Sequence, residues 1–314
     1  MKARLVLEDK ERRALGELSG VSLDATVRCG RTAFRENIRR IFVSLMGITL
    51  AGTFTCAYAQ WPNYPDSRIP RTKDGKPNLT APAPRLNGKP DISGVWQAER
   101  SPASEYDRVM GKGFTALQPD TYDITTNFLN VFWGMKPEEE PLRPEAAAIV
   151  NHRRQSPLES PFIQCLPGGI PATLLVNTFK IVQTPREIVM LPETLNPPRQ
   201  IHMDGRPLPK DPTPRYMGYS VGRWEGDTLV IDTVGVNERT SLDVAGHPRS
   251  ESMRITERYR RRDLGHMDLE ITFNDPKYYT RPFSIKTALT LLPDSDLFEY
   301  VCAENEKDRV HLGK

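Results

Sequence analysis

The chain has 314 residues, with 43 Lys or Arg against 40 Asp or Glu and a formal net charge of +3. Residues 1–59 hold ten basic and six acidic side chains, which leaves 33 against 34 and a formal charge of −1 for the remaining 255 residues. That near-neutral body gives no reason to expect a nucleic acid or an anionic membrane surface as partner. All 28 prolines also fall in the body, which disfavours long helices and suits many strands joined by rigid turns.

Residues 1–59 read as an export signal. Arg39-Arg40 closes a basic region, the apolar run 41–59 follows, and Ala57-Tyr58-Ala59 supplies a small-x-small cleavage site, so the mature chain is expected to begin at Gln60. Arg39-Arg40-Ile41-Phe42-Val43 also has the order of a twin-arginine signal, leaving Sec and Tat export both open. Ser44, Thr49, Thr53 and Thr55 interrupt the apolar run, which argues against a retained membrane helix. Residues 60–90 form a Pro-rich extended arm punctuated by Asp74-Gly75 and Asn87-Gly88.

From residue 91 to 314 the pattern is that of a single β-barrel-like domain with a helical or irregular insertion at about 102–161. Asp91-Ile92-Ser93-Gly94-Val95-Trp96 begins a short strand, and a glycine shortly before a tryptophan here resembles the opening strand of lipocalin-like barrels, where the indole plugs the floor. Within the insertion, residues 122–135 suit a helix or a buried loop. Pro144-Glu145 followed by an Ala-rich run and His152-Arg153-Arg154 predicts a short helix with proline at its first position and basic residues at its last turn. Period-2 alternation then predicts strands through 172–183, 186–191, 199–203, 216–224, 228–236, 252–260, 266–273, 284–292 and 297–303. The intervals permit hairpins but no crossover helices. The expected fold is mainly β, an antiparallel meander closed into a lipocalin-like barrel or a strongly curved sheet.

With Cys29 and Cys56 in the leader, Cys165 and Cys302 remain, and an even pair in an oxidising compartment is expected to form a disulfide. It would close a loop worth roughly 4–5 kcal/mol in the chain-entropy view.

Gly218-Tyr219-Ser220-Val221-Gly222 has the G-x-S-x-G form of a nucleophile elbow. That chemistry needs a helix after the serine, and Arg223-Trp224-Glu225-Gly226-Asp227-Thr228 reads as a hairpin instead. The two glycines are better explained by close packing or a bulge. His202-Met203-Asp204 and His266-Met267-Asp268 each place an imidazole and a carboxylate at i and i+2, on one side of a strand. Each is only a pair, so no metal site is predicted. The charged run 257–263 reads as a solvated edge strand around Tyr259, and residues 137–140 as a solvated face.

If the ends of several strands gather at a barrel mouth, His202, His247 and Asp204 are candidate general acid/base residues, Arg199 and Arg206 could hold an anionic group, and Tyr219 and Trp224 could contact a ring. Trp224 also makes sense as a core residue beside a turn. The expectation is a small organic ligand held in the mouth with no cofactor, no nucleic-acid partner and no stable membrane insertion after cleavage. The alternative is a cofactor-free hydrolase, lyase or isomerase using the same residues.

Asp204-Gly205-Arg206-Pro207, the run 218–233 containing Trp224-Glu225-Gly226-Asp227-Thr228, and Glu299-Tyr300-Val301-Cys302-Ala303-Glu304-Asn305 resemble a large family of exported bacterial proteins. The resemblance covers roughly residues 90–310. It implies export and a lipocalin-like β body, and it implies no settled reaction, cofactor or catalytic residue. Family members often carry histidine where this chain has Leu208, which weakens a catalytic role for that turn.

Overall fold

In the computed structural model the described residues are 65–100, 125–156, 159–176, 178–194 and 196–299, all within one unit, Trp61–Lys314. The export-signal reading, the start of the arm and Cys302 lie outside them.

The arm carries a hairpin of β1 (Arg85–Leu86) and β2 (Lys89–Pro90). Its turn is Asn87-Gly88 with φ of 51° and 78°, the pair of positive values that a two-residue hairpin loop of this type needs. Nine further strands follow: β3 (Gly94–Ala98), β4 (Thr178–Gln183), β5 (Glu187–Pro192), β6 (Arg199–His202), β7 (Tyr219–Glu225), β8 (Thr228–Val234), β9 (Arg254–Arg261), β10 (His266–Asn274) and β11 (Phe283–Leu291). They pair in chain order and β11 returns to β3, which closes a barrel. Every seam is antiparallel except β6 with β7, which is parallel. Nine is odd, and a closed ring of alternating directions requires an even number, so one seam has to be parallel. Local alternation along a strand carries no information about the direction of its neighbour. The 16-residue connection 203–218, with Pro207, Pro209, Pro212 and Pro214, runs back along the barrel without a helix.

Two expected strands differ. Residues 172–175 form a short helix, α3 (Ala172–Leu175), whose four residues are all buried; an uninterrupted apolar run does not separate helix from strand. Residues 297–299 are not a strand, since Leu297 N donates to Asp296 and Phe298 N to Glu193 Oε1, and β3 takes the position between β11 and β4. The predicted helix over the proline is α2 (Pro144–Gln155), and residues 122–135 contribute α1 (Thr126–Leu129), capped by Thr125.

Alternate residues of β9 and β10 turn inward, and the interior is filled by apolar side chains including Phe179, Ile181, Met190, Ile231, Leu269 and Ile271. One end is a floor. Trp96 is fully buried there, donating to Ile92 O at 2.9 Å, with the Arg261 guanidinium 4.9 Å from its ring centre. The arm covers this end: Leu264 N and Gly265 N donate to Ala81 O and Leu79 O at 2.8 and 2.7 Å, while Arg71 pairs with Asp294 and Arg85 with Asp227. At the other end α1, α3 and an aromatic group of Phe132, Phe273, Tyr279 and Phe283 pack over the interior. The mouth is therefore covered, and open space lies to its side.

Candidate functional site

The parallel seam supplies that space. β6 and β7 are in register over only Ile201 with Ser220 and His202 with Val221. Before these pairs the two chains diverge, and residues 197–200 and 214–219 become facing walls of a cleft of about 840 Å³, completed by Asn237, Glu238, Arg239 and Glu251. Gly218 forms the bend into β7 with φ of 63°. A Cβ there would lie 2.6 Å from Thr233 Cγ2 and 2.8 Å from Val234 O, so the sharp turn that opens the cleft excludes any side chain.

Arg199 and Ser220 reach the cleft from the barrel interior, where both are buried. The Arg199 guanidinium donates to both oxygens of Glu257, at 3.0 Å to Oε1, and also to Ser220 Oγ at 3.2 Å and Thr233 Oγ1 at 2.9 Å. Tyr259 donates to Glu257 Oε1 at 2.8 Å. Burial disfavours the Arg199 cation, but Glu257 more than compensates and its pKa is raised. Burial and then the Glu257 charge push the Tyr259 phenol well above its ordinary value. This satisfied network leaves Arg199 occupied and Ser220 locked between two partners. The run 257–263 is thus not a solvated edge: β9 is paired on both sides, and Glu257 and Arg261 point inward.

On the outer wall, the His202 and Tyr219 rings lie 5.0 Å apart. Arg206 Nη1 donates to Tyr219 Oη at 3.3 Å and grips Asp204 through two nitrogens. That grip holds the Asp204 carboxyl well below the usual carboxylate range and raises Arg206. Asp204 therefore serves Arg206, and among the described residues no carboxylate is bonded to His202.

Of the predicted site residues, Arg199, His202 and Tyr219 line the cleft, and Arg206 and Asp204 adjoin it through Tyr219. Trp224 and His247 are elsewhere. Trp224 sits toward the other end of β7 and packs on the core. His247 is fully buried, with Nδ1 at 2.6 Å from Asp243 Oδ2, Nε2 at 3.4 Å from Glu140 Oε2, and its ring edge-on to Phe132. Burial pulls the imidazolium pKa down, but the two carboxylates outweigh it and raise the value to about 9. Asp243 also accepts from Val131 N, Gly246 N and His247 N, so this group ties the insertion to the loop after β8. The second His-Met-Asp pair is also separated: His266 bonds Asp263 at 2.7 Å and Asp268 pairs with Arg262 at 3.2 Å. Among the described residues no group of three His, Cys, Asp or Glu is placed to hold a metal ion.

Arg215, Tyr216, Arg239 and the buried Arg249 behind them were not singled out from sequence. Arg249 donates to Asn237 O at 2.8 Å, Tyr216 O at 3.0 Å and Ile170 O at 3.3 Å, bracing two cleft walls. The dense polar stretch 237–251 was the available signal, but only the fold turns it toward β6 and β7. Comparison with known proteins gives no match to a family model, a curated protein or a solved structure.

Proposed function

We propose that the protein is an exported, disulfide-linked β-barrel whose cleft beside the parallel seam binds a small organic molecule. The observation that supports this reading is the cleft itself: about 840 Å³, within the usual range for a small-ligand site, with aromatic and polar side chains converging from four chain segments. His202 and Tyr219 offer ring surfaces, while Tyr216 and Asn237 add polar groups along the wall. Catalysis is the weaker reading because the cleft offers no nucleophile joined to a base: Ser220 is held by Arg199 and Thr233, and His202 has no orienting carboxylate among the described residues. Export rests on the signal-like residues 1–59, and the disulfide on the even number of cysteines, Cys165 and Cys302, outside that leader. No helix among the described residues is long and apolar enough to cross a membrane.

The test is mass spectrometry of small molecules carried through native purification of the exported protein. One organic species should accompany the wild-type protein near one to one and be depleted in Tyr219→Ala. Equal recovery from both proteins would refute the assignment. A non-reducing peptide map of the same preparation should show Cys165 linked to Cys302 and Gln60 at the N-terminus.

A further inference from the structure

Resting on the binding reading above, we infer that the cleft is built for an organic anion, a carboxylate or equivalent oxyanion on a ring-bearing molecule, and that Arg215 and Arg239 receive the charge. The two arginines expected from sequence are already spent, Arg199 on Glu257 and Arg206 on Asp204. Arg215 and Arg239 also belong to the cleft wall, are exposed, and have no ion-pair partner among the described residues. Their backbones are fixed: Arg215 N donates to Gly235 O and Arg215 O accepts from Asn237 N, both at 2.9 Å, and Arg239 N donates to Asn237 Oδ1 at 3.2 Å. Arg215 and Arg239 are thus carried on two hydrogen-bonded segments of the cleft lining, and two such guanidiniums can offer a planar oxyanion paired hydrogen bonds.

The acidic side chains of the cleft do not cancel them. Glu238 is paired with Lys277 at 2.7 Å, leaving Glu251 as one carboxylate against two cations. Behind the wall stands a third cation. Arg249 is fully buried, and its partners are the neutral oxygens of Asn237, Tyr216 and Ile170. A buried charge without a counterion is costly, and its field falls most strongly on the nearest polar space, screened less than a surface charge would be. That space is the cleft, since Tyr216 and Asn237 are both the oxygens that hold Arg249 and the lining of the wall. Burial lowers the Arg249 pKa to about 9, which leaves it cationic at neutral pH. The aromatic faces of His202 and Tyr219 lie on the same concavity, so the ligand's ring and its anionic group have separate places to rest.

The experiment uses matched probes of one shape: 2-naphthoate and 2-naphthamide, titrated into the mature protein and followed by ligand-observed NMR and calorimetry. The acid should bind about tenfold or more tightly than the amide, and the preference should shrink as salt is raised. Arg215→Ala combined with Arg239→Ala, both exposed positions, should cost the acid about tenfold or more and leave the amide within about twofold. Equal binding of acid and amide, or loss of both probes in the double variant, would overturn the anion assignment while leaving a small-molecule cleft in place. Failure of 2-naphthoate to bind at all would overturn the anion assignment, and equal recovery of the co-purifying species from wild type and Tyr219→Ala would overturn the binding reading on which it rests.

Discussion

Glu257 is the residue on which the interior most depends, because it neutralises a guanidinium sealed inside the barrel. Replacing it by Gln strands Arg199 without a counter-charge, and breaking a buried pair from one side typically costs about 3–5 kcal/mol. Urea unfolding of Glu257→Gln should show a loss of that order, whereas Arg199→Met with Glu257→Met should recover much of it. A loss below about 1 kcal/mol in the single variant would mean that the pair is not sealed from water. His247 makes a second, pH-dependent prediction. Its folded pKa, raised to about 9, lies above the unfolded value near 6.5, so its contribution is complete below about pH 6.5 and is lost as pH rises through about 9. Stability should fall across that window by on the order of 2–3 kcal/mol, and His247→Gln should flatten the slope. An unchanged slope in the variant would remove the Asp243 and Glu140 contacts from the account.

At the scale of the element, the parallel seam explains why Gly218 is glycine. Gly218→Ala has to place a methyl against Thr233 and Val234 at positive φ, and should cost roughly 1–3 kcal/mol while shifting the bend that shapes the cleft. Circular-dichroism melts together with probe titration would check both, and a variant with unaltered melting and binding would show that the bend can be made otherwise. Much of this level was legible in sequence. Period-2 alternation through 266–273 and 284–292 corresponds to β10 and β11, the Asn87-Gly88 pair to the arm's turn, and Pro144 to the start of α2. The charges of β9 were misread because Arg199, which turns Glu257 from a solvated acid into a buried partner, lies 58 residues away. The direction of β7 was equally hidden, since it follows from counting strands around a closed ring and from nothing local.

For the molecule as a whole, the two ends of the barrel are unequal. The floor is covered by Trp96, Arg261 and the arm, the mouth by α1, α3 and the aromatic group around Phe283, and the candidate binding space is displaced to the seam where the odd number of strands forces two of them to run together and part. The predicted site was legible to the extent that it drew on strand ends near that seam, as with Arg199, His202 and Tyr219. It failed at Trp224 and His247 because sequence distance from a turn does not say on which side of the sheet, or at which end of the barrel, a side chain falls. The most direct measurement is a crystal structure of the mature protein with 2-naphthoate. The ring should lie against His202 and Tyr219 and the carboxylate toward Arg215 and Arg239. Naphthoate held only at another site, with the cleft between residues 197–200 and 214–219 closed by its own side chains, would contradict the account.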